Sequence, residues 1–345
     1  MLSKEEVNWA YRILFGRLPE NDATIGLMMQ NPDIASLRRI MLLSPEFMNS
    51  AKFSLEIYHN AMGVDIELLN KYAIRSQPQS DDSSYYTNWL GIKTDKRLPN
   101  PEDYRNIPTS LHEGCYEYLS VLMAIDRTRD RRQFTAVELG ACWGPWISAV
   151  GVVCKRQKFD KINLVGVEAA AVHYKSMKEH LNRNGLLNVS NINCALIEGA
   201  AWTENATVYF PEMSRPDDYG AAASGDSPRK EYRGRDVQHF PVQGYSLSAI
   251  CKGLDIIDYM HFDVQGAEVA LINSAKDLLN KRVRFVFIGT HSLPIEGDLL
   301  RFFYENKWDV LHYVPCTFQY NRASPSLEAM TVGHDGELFA CNTRL

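Results

Sequence analysis

The sequence predicts an α/β fold: a doubly wound parallel sheet covered by helices on both faces, preceded by a small N-terminal helical bundle. Three observations carry this. Residues from about 4 to 60 show helical spacing of apolar positions and no strand-like alternation. From about Ser110 onward, short apolar runs alternate with amphipathic ones, the pattern of strands joined by helical crossovers. The first of those runs passes through a glycine-bearing turn straight into a helix, "AVELGACWGPWISAVG" (136–151). Open parallel sheets bind ligands at such turns. The expected partition is a helical module over 1–73, a linker over 74–109, and a sheet domain over 110–345 with an insertion at 211–242.

Along the chain, "EEVNWAYRILFGR" places Val7, Tyr11, Leu14 and Phe15 on one helical face, and "LPEN" breaks the pattern. "NPDIASLRRIMLL" predicts a second helix with Asn31 as its cap and Pro32 in its first turn. "SPEFMNS" repeats that device with Ser44 and Pro45. "IRSQPQSDDSSYY" is polar and aperiodic, a linker or surface loop. "SLHEGCYEYLSVLMAIDRTRD" reads as a helix. After it come the strands "FTAVEL", "INLVGVE", "VSNINCAL", "IDYMHFDV", "VRFVFIG" and "WDVLHYV", with helices between them. Right-handed crossovers make such a sheet doubly wound. The stretch Pro211 to Val242 breaks the rhythm and is rich in Gly, Pro and charge. A substrate lid and a solvated insertion both fit a loop of that length.

Composition narrows the class. The chain has 345 residues, enough for one large domain and a small one, with 45% hydrophobic and 23% charged residues, as in soluble globular proteins. A formal net charge of -5 argues against a broad phosphate-binding surface, so nucleic acid is not an expected partner. "MLSKEEVNWAYR" lacks the apolar core of a signal peptide, and no apolar run is long enough to span a bilayer. Seven cysteines without a C-x-x-C pair read as reduced thiols of a cytoplasmic protein.

The turn itself points to a ligand. A dinucleotide site wants G-x-G-x-x-G with amides aimed at a pyrophosphate. Here that spacing is absent, Trp143 is bulky, and Pro145 has no N–H. Gly140 permits the tight turn and Gly144 a close backbone approach. Glu138 ends a buried strand, where a carboxylate needs a partner, either a cationic ligand or a hydrogen-bond network. Glu168 ends the next strand, a position from which an acid accepts hydrogen bonds from a ribose diol. Together these acids and the uncradled turn point to S-adenosylmethionine; two surface acids beside an ordinary turn is the alternative. Trp143 and Trp146 are either cofactor cover or core.

Methyl transfer to a hydroxyl needs an aligned acceptor and a way to remove its proton. Asp263 ends the strand "YMHFD" and is a candidate to face cofactor or acceptor. Glu268 follows in the first turn of a helix, where it also suits the dipole. His291, in "GTHS", titrates near neutrality in the ordinary case and is the candidate base. His261 lies one alternation from Asp263 and could share its face. A divalent metal bridging Asp263, His291 and a further acid is open, but no contiguous ligand motif supports one, and no metal is expected. "SPRKEYRGR", in the insertion, is a basic cluster that suits either a phosphate or solvent.

From about Leu111 to its C-terminus, the chain resembles the FkbM-type methyltransferases, S-adenosylmethionine-dependent O-methyltransferases. "VELGACWGPW" is similar to the family's first motif, with Cys142 where Asn is frequent. "GVEAAAVHYKSMKEHLNRNGL" resembles its second strand, helix and turn, and "YMHFDVQGAEVALI" its late Asp-x-x-Gly-Ala-Glu signature. "FVFIGTHS" resembles a subgroup's next strand, and in "YSLSAI" Ser248 stands where an acid is common. The resemblance implies a Rossmann-like class I methyltransferase domain. It implies cofactor contacts from Glu138, Gly140, Ala141, Trp143, Gly144, Glu168 and Ala195, and catalytic roles for Asp263, His291 and Glu268. The first fifty residues resemble a helical module of bacterial glycan-modifying proteins, through "YRILFGR" and "LLSPEF". That implies methylation of a sugar hydroxyl in a bacterial glycan or glycoconjugate precursor. The competing readings are methylation of a polyketide or lipid metabolite, and a nicotinamide-dependent oxidoreductase. The missing phosphate cradle argues against the last. A homodimer is compatible with all of them.

Overall fold

The computed structural model describes residues 2–15, 17–42, 44, 65–74, 84–98, 107, 114–225, 231–232, 235–318, 320, 322–323 and 332–345. The chain divides into two units, Met1–Ile66 and Glu67–Leu345.

The first unit contains α1 (Lys4–Phe15), α2 (Asp22–Met29) and α3 (Ile34–Leu42). A capping box starts α1: the Glu6 amide donates to Ser3 Oγ (3.2 Å), and the Ser3 amide donates to the Glu6 carboxylate (2.7 Å). Val7 and Tyr11 are buried with Leu2, Ile25, Leu37 and Met41, and Leu14 and Phe15 pack against them. Asn31 is not the cap of α3, as expected from sequence. Asp33 takes that place, its Oδ1 accepting the Ser36 amide at 2.7 Å. The reason is distance along the chain: the helix begins at Ile34, so the acid beside it meets the open amides. Asn31 instead donates to the Met28 carbonyl (2.8 Å), at the end of α2. The expected helix start at Pro45 lies outside the described residues.

The second unit takes in α4 (Ile66–Tyr72) from its second residue onward, followed by an antiparallel hairpin of β1 (Tyr85–Thr87) and β2 (Lys93–Asp95). The hairpin falls inside the segment expected to be linker. It is folded because its turn is apolar and satisfied: Trp89, Leu90 and Ile92 are buried, and Asn88 Oδ1 accepts the amides of Leu90 and Ile92. Likewise α4 packs with the second unit, its Tyr72 hydroxyl donating to Asp126 (2.9 Å).

Beyond the hairpin run α5 (Cys115–Thr128), β3 (Gln133–Leu139), α6 (Pro145–Arg156), β4 (Lys161–Glu168), α7 (Ala171–Arg183) and β5 (Ile192–Glu198). Then come β6 (Ala200–Ala201), β7 (Ala206–Pro211), β8 (Glu231–Tyr232), β9 (Arg235–Asp236), β10 (His239–Tyr245) and α8 (Leu247–Ile250). The chain closes with β11 (Ile257–Phe262), α9 (Glu268–Ser274), α10 (Lys276–Arg282), β12 (Val283–Thr290), α11 (Leu293–Glu305), β13 (Trp308–Val314), β14 (Thr317–Phe318), β15 (Val332–His334) and β16 (Gly336–Asn342).

Seven strands form the central sheet in the order β13-β16-β12-β11-β3-β4-β5. Every pairing from β12 to β5 is parallel. The order reverses between β3 and β11, so their carboxyl ends frame the crevice where such sheets bind ligands. One strand departs from the parallel expectation. β16, "GELFACN", inserts antiparallel between β12 and β13. Its buried Leu338, Phe339 and Ala340 fill a sheet interior, and an antiparallel strand needs no helical crossover to arrive there. The predicted insertion is a ribbon at its base: β7 and β10 pair antiparallel from Pro211↔His239 to Ala206↔Gly244, with β6 alongside β10. No described helix is long and apolar enough to cross a membrane.

Replacing Asp33 with Ala removes the cap of α3 and is expected to lower the urea midpoint of unfolding. Asn31→Ala should have a smaller effect. Urea unfolding of the two full-length variants, followed by circular dichroism, checks the order.

Candidate active site

The turn after β3 is dictated by how close β11 comes. Gly140 sits at φ +73°, and a Cβ there would overlap the carbonyl oxygen of Asp263. Only glycine satisfies both conditions. The Asp263 amide donates to the Leu139 carbonyl (3.0 Å), locking the two strand ends together. On the other side the amides of Gly140 and Ala141 both donate to the Val167 carbonyl (3.1 and 2.9 Å). Gly144, also at φ +73°, caps α6, with Pro145 at the helix start.

The anion at this helix N-terminus is the protein's own. Glu138, almost fully buried, accepts the amides of Trp146 (3.3 Å) and Ile147 (2.9 Å). Those groups are therefore not presented to a phosphate. Burial pushes the Glu138 carboxyl up to about 8 against the pull of the two amides, and the charges of Asp263 and Glu168 push it further. Glu168 is held in the same manner: the Cys142 amide donates to its Oε2 (2.6 Å) and the Ala170 amide to its Oε1 (2.7 Å).

Asp263 begins a second network. Its Oδ1 accepts Gln265 Nε2 (2.7 Å) and lies 3.3 Å from His291 Nε2. The other ring nitrogen, Nδ1, is 3.0 Å from Oε1 of fully buried Glu268. Both Glu268 oxygens also accept the Gly266 amide. Burial alone would lower the His291 pKa, but hydrogen bonds and charge from the two carboxylates outweigh it and raise the value to about 11. His291 is thus an imidazolium with both nitrogens committed. With both nitrogens beside carboxylates, the geometry favours an orienting role for His291 over the expected base role. Burial would raise Asp263, yet the His291 bond and charge hold it below the usual carboxylate range. His261 belongs to the core: it is buried, stacked on Phe287 at 5.3 Å, and burial pushes its pKa down to about 4.

A cavity opens at these strand ends. Of the residues expected at the site, Gly140, Trp143, Glu168 and Asp263 line it, as does Trp146. Glu138, Ala141, Gly144, Glu268 and His291 stand behind the wall and shape it. Ala195 is elsewhere. It pairs with Val165 three residues short of the end of β5 and is exposed beside Asn193. The cavity is reached by residues past that strand end, Gly199, Ala200, Ala201 and Trp202. Sequence reasoning also missed Glu117 on α5, His173 in the first turn of α7, and Phe210, Met213 and Tyr219 from the ribbon. His173 lies in the quoted stretch "AVHYK", two residues into a helix that starts at the cavity, and its position was the available signal. The ribbon residues carried none, because only tertiary folding brings them over the sheet. Among the described residues, no group of three or more His, Cys, Asp and Glu is placed to hold a metal ion.

The His291 pKa sets a pH window. The folded value, about 11, exceeds the ordinary 6.5, so the stability this charge contributes is complete below about 6.5. It falls away as the pH rises through about 11. Ring nitrogen NMR of the full chain should show one histidine that stays doubly protonated from about pH 5 to about pH 9 and is lost in His291→Gln. A midpoint near 6.5 for that ring would contradict the bridged geometry.

Comparison with known proteins bears on this site. The profile of the methyltransferase FkbM domain matches residues 139–313. A protein from Jannaschia sp. (strain CCS1), described as "Putative methyltransferase", is 28% identical over 233 residues, covering 64% of this chain and 81% of that one. Among solved structures, the chain is similar to methyltransferase FkbM from Methylobacillus flagellatus KT, at 13% identity and a TM-score of 0.38, over 71% of this chain and 56% of that one. It is also similar to precorrin-6y C5,15-methyltransferase from Geobacter metallireducens GS-15, at 8% identity and a TM-score of 0.36, over 72% and 93%. The matched region starts at the last residue of β3 and takes in the turn, Glu168, Asp263 and His291. The chain belongs to the methyltransferase FkbM domain family and is a methyltransferase.

Proposed function

We propose that the protein transfers the methyl group of S-adenosylmethionine to a sugar hydroxyl in a bacterial glycan or glycoconjugate precursor. The observation that carries the donor is the pairing of the turn's acids. The amides of α6 are taken by Glu138, which disfavours a pyrophosphate, while Glu168 presents its carboxylate to the cavity. Each Glu168 oxygen accepts one backbone amide and keeps a lone pair for a ribose hydroxyl. Asp263 and Glu168, on the same cavity wall, suit a ligand with positive charge. The residues present therefore fit this donor.

When bound, S-adenosylmethionine supplies a methyl group already activated by a positively charged sulfur. The chain's task is then to hold an acceptor oxygen in line and to receive its proton. Asp263 fits both tasks. Its Oδ1 is committed to Gln265 and His291, and its Oδ2 has no protein partner among the described residues. The His291 imidazolium keeps the carboxylate ionised, and Glu268 keeps His291 in place. A weak base suffices, because an alcohol oxygen becomes strongly acidic once it bonds to a third group. Trp202, Phe210, Met213 and Tyr219 form an apolar wall whose flat rings suit the C–H face of a pyranose. The helical unit before the catalytic one, as in glycan-modifying proteins, supports the same acceptor. All seven cysteines are free thiols, which suits a cytoplasmic reaction.

Isothermal titration with S-adenosylmethionine should show binding weakened about tenfold or more in Glu168→Gln, since a carboxylate acceptor is lost. Asp263→Asn should lower kcat by about 100-fold or more. Incubating the enzyme with methyl-labelled donor and fractionated bacterial extract should label carbohydrate. Label confined to lipid or polyketide fractions would replace the acceptor assignment, and tight binding of NAD with none of S-adenosylmethionine would end the donor assignment.

A further inference from the structure

We propose that the helical unit, Met1–Ile66, carries a saccharide-binding groove centred on Trp9, which holds a pyranose of the glycan that the chain methylates. The proposal rests on the reading of the acceptor as a glycan and involves no residue of the catalytic cavity.

The groove follows from how α1 and α3 are written. Residues four apart share a helix face, so Glu5 and Trp9 form one row on α1, and Glu6, Ala10 and Leu14 form the next. On α3, Ile34 and Arg38 are also four apart. With Ser3 these residues line a groove of about 510 Å³. The core of the unit takes the opposite side of α1, through Val7 and Tyr11. Trp9 has no part in that core and is 64% exposed. Single apolar side chains on a surface are ordinary, but an indole set in a groove among uncommitted charges is not.

The state of those charges is a second observation. Among the described residues, Glu5 and Arg38 have no hydrogen-bond or ion-pair partner, although both line the groove. Ser3 donates twice to Glu6 Oε2 (2.7 and 2.8 Å), which leaves Oε1 open. A pyranose matches this set. Its C–H face meets the electron-rich face of an indole, and its hydroxyls donate to carboxylates and accept from a guanidinium. Trp9, the two glutamates and Arg38 from the second helix supply all three. The alternatives fit less well. An anionic lipid surface would meet two carboxylates at the rim. A stable protein interface takes about 20 residues or more a side, and eight line this groove.

The test uses an array of bacterial oligosaccharides cut from O-antigen, capsule and peptidoglycan, probed with fluorescently labelled full chain and no methyl donor. The wild-type chain should bind a subset of them, and Trp9→Ala should weaken that binding by about tenfold or more. Trp9→Phe, which keeps a flat ring, should restore most of the loss. Far-UV circular dichroism of Trp9→Ala should match the wild type, because the residue lies outside the core. Undiminished array binding by Trp9→Ala, or no oligosaccharide bound by the wild type, overturns the proposal. So does a groove used for something else, seen as loss in Trp9→Ala of self-association in sedimentation or of binding to phosphatidylglycerol vesicles. The acceptor reading is judged separately, by where methyl label goes, so either can fail alone.

Discussion

The contact between Gly140 and the carbonyl of Asp263 is the constraint on which the site depends. It brings the ends of β3 and β11 together at the reversal of strand order, with no room for a side chain between them. From that contact the chain must turn sharply, which places the Cys142 amide on Glu168 and delivers α6 with its amides on Glu138. A side chain at Gly140 would move the end of β11, and Asp263 with it. The turn, Glu168 and Asp263 thus share one point of origin.

Charge organises the rest. Five acids gather around the cavity: Glu117 lines it, and the other four are held by backbone amides or by an imidazole. Glu138 and Glu168 are held by backbone amides, Asp263 by an imidazolium, and Glu268 by the Gly266 amide and the same imidazolium. Backbone amides satisfy the Glu168 carboxylate without supplying a compensating charge, whereas burial pushes the Glu138 carboxyl up to about 8. The single imidazolium serves orientation, since it ties Asp263 to a residue buried behind it. At the start of α6 the amides of Trp146 and Ile147 are already taken by Glu138 and are not offered to a phosphate.

Much of the site was legible in local sequence. Six central strands and the helices between them show their periods openly, and the acids at the ends of β3, β4 and β11 are visible as polar breaks after apolar runs. Other parts were hidden for identifiable reasons. β16 runs antiparallel to both of its neighbours, so a pattern read as parallel strands joined by helices does not announce it. The hairpin at 84–98 follows a polar stretch that masks its buried Trp89 and Leu90. The resemblance implied a cofactor contact for Ala195, but pairing register puts the end of β5 three residues later. The Asn31 cap was displaced by Asp33 because a shift of two residues decides which side chain meets the free amides.

What the sequence by itself determined is the fold class, the absence of a phosphate cradle and the two acids flanking the turn. These follow from nearest neighbours: spacing of apolar residues, glycine at a turn, and a carboxylate ending a strand. Tertiary structure alone decided the protonation of His291 and the membership of the cavity wall. His291 lies 28 positions after Asp263 and 23 after Glu268. No local pattern says that Nδ1 meets Glu268 while Nε2 meets Asp263, with Asp335 at 3.8 Å, yet that encounter raises the His291 pKa to about 11. Likewise Phe210, Met213 and Tyr219 join Glu117 and Glu168 only when the ribbon folds over the sheet. A pKa and a cavity are properties of what surrounds a residue in space, and the chain order does not contain them.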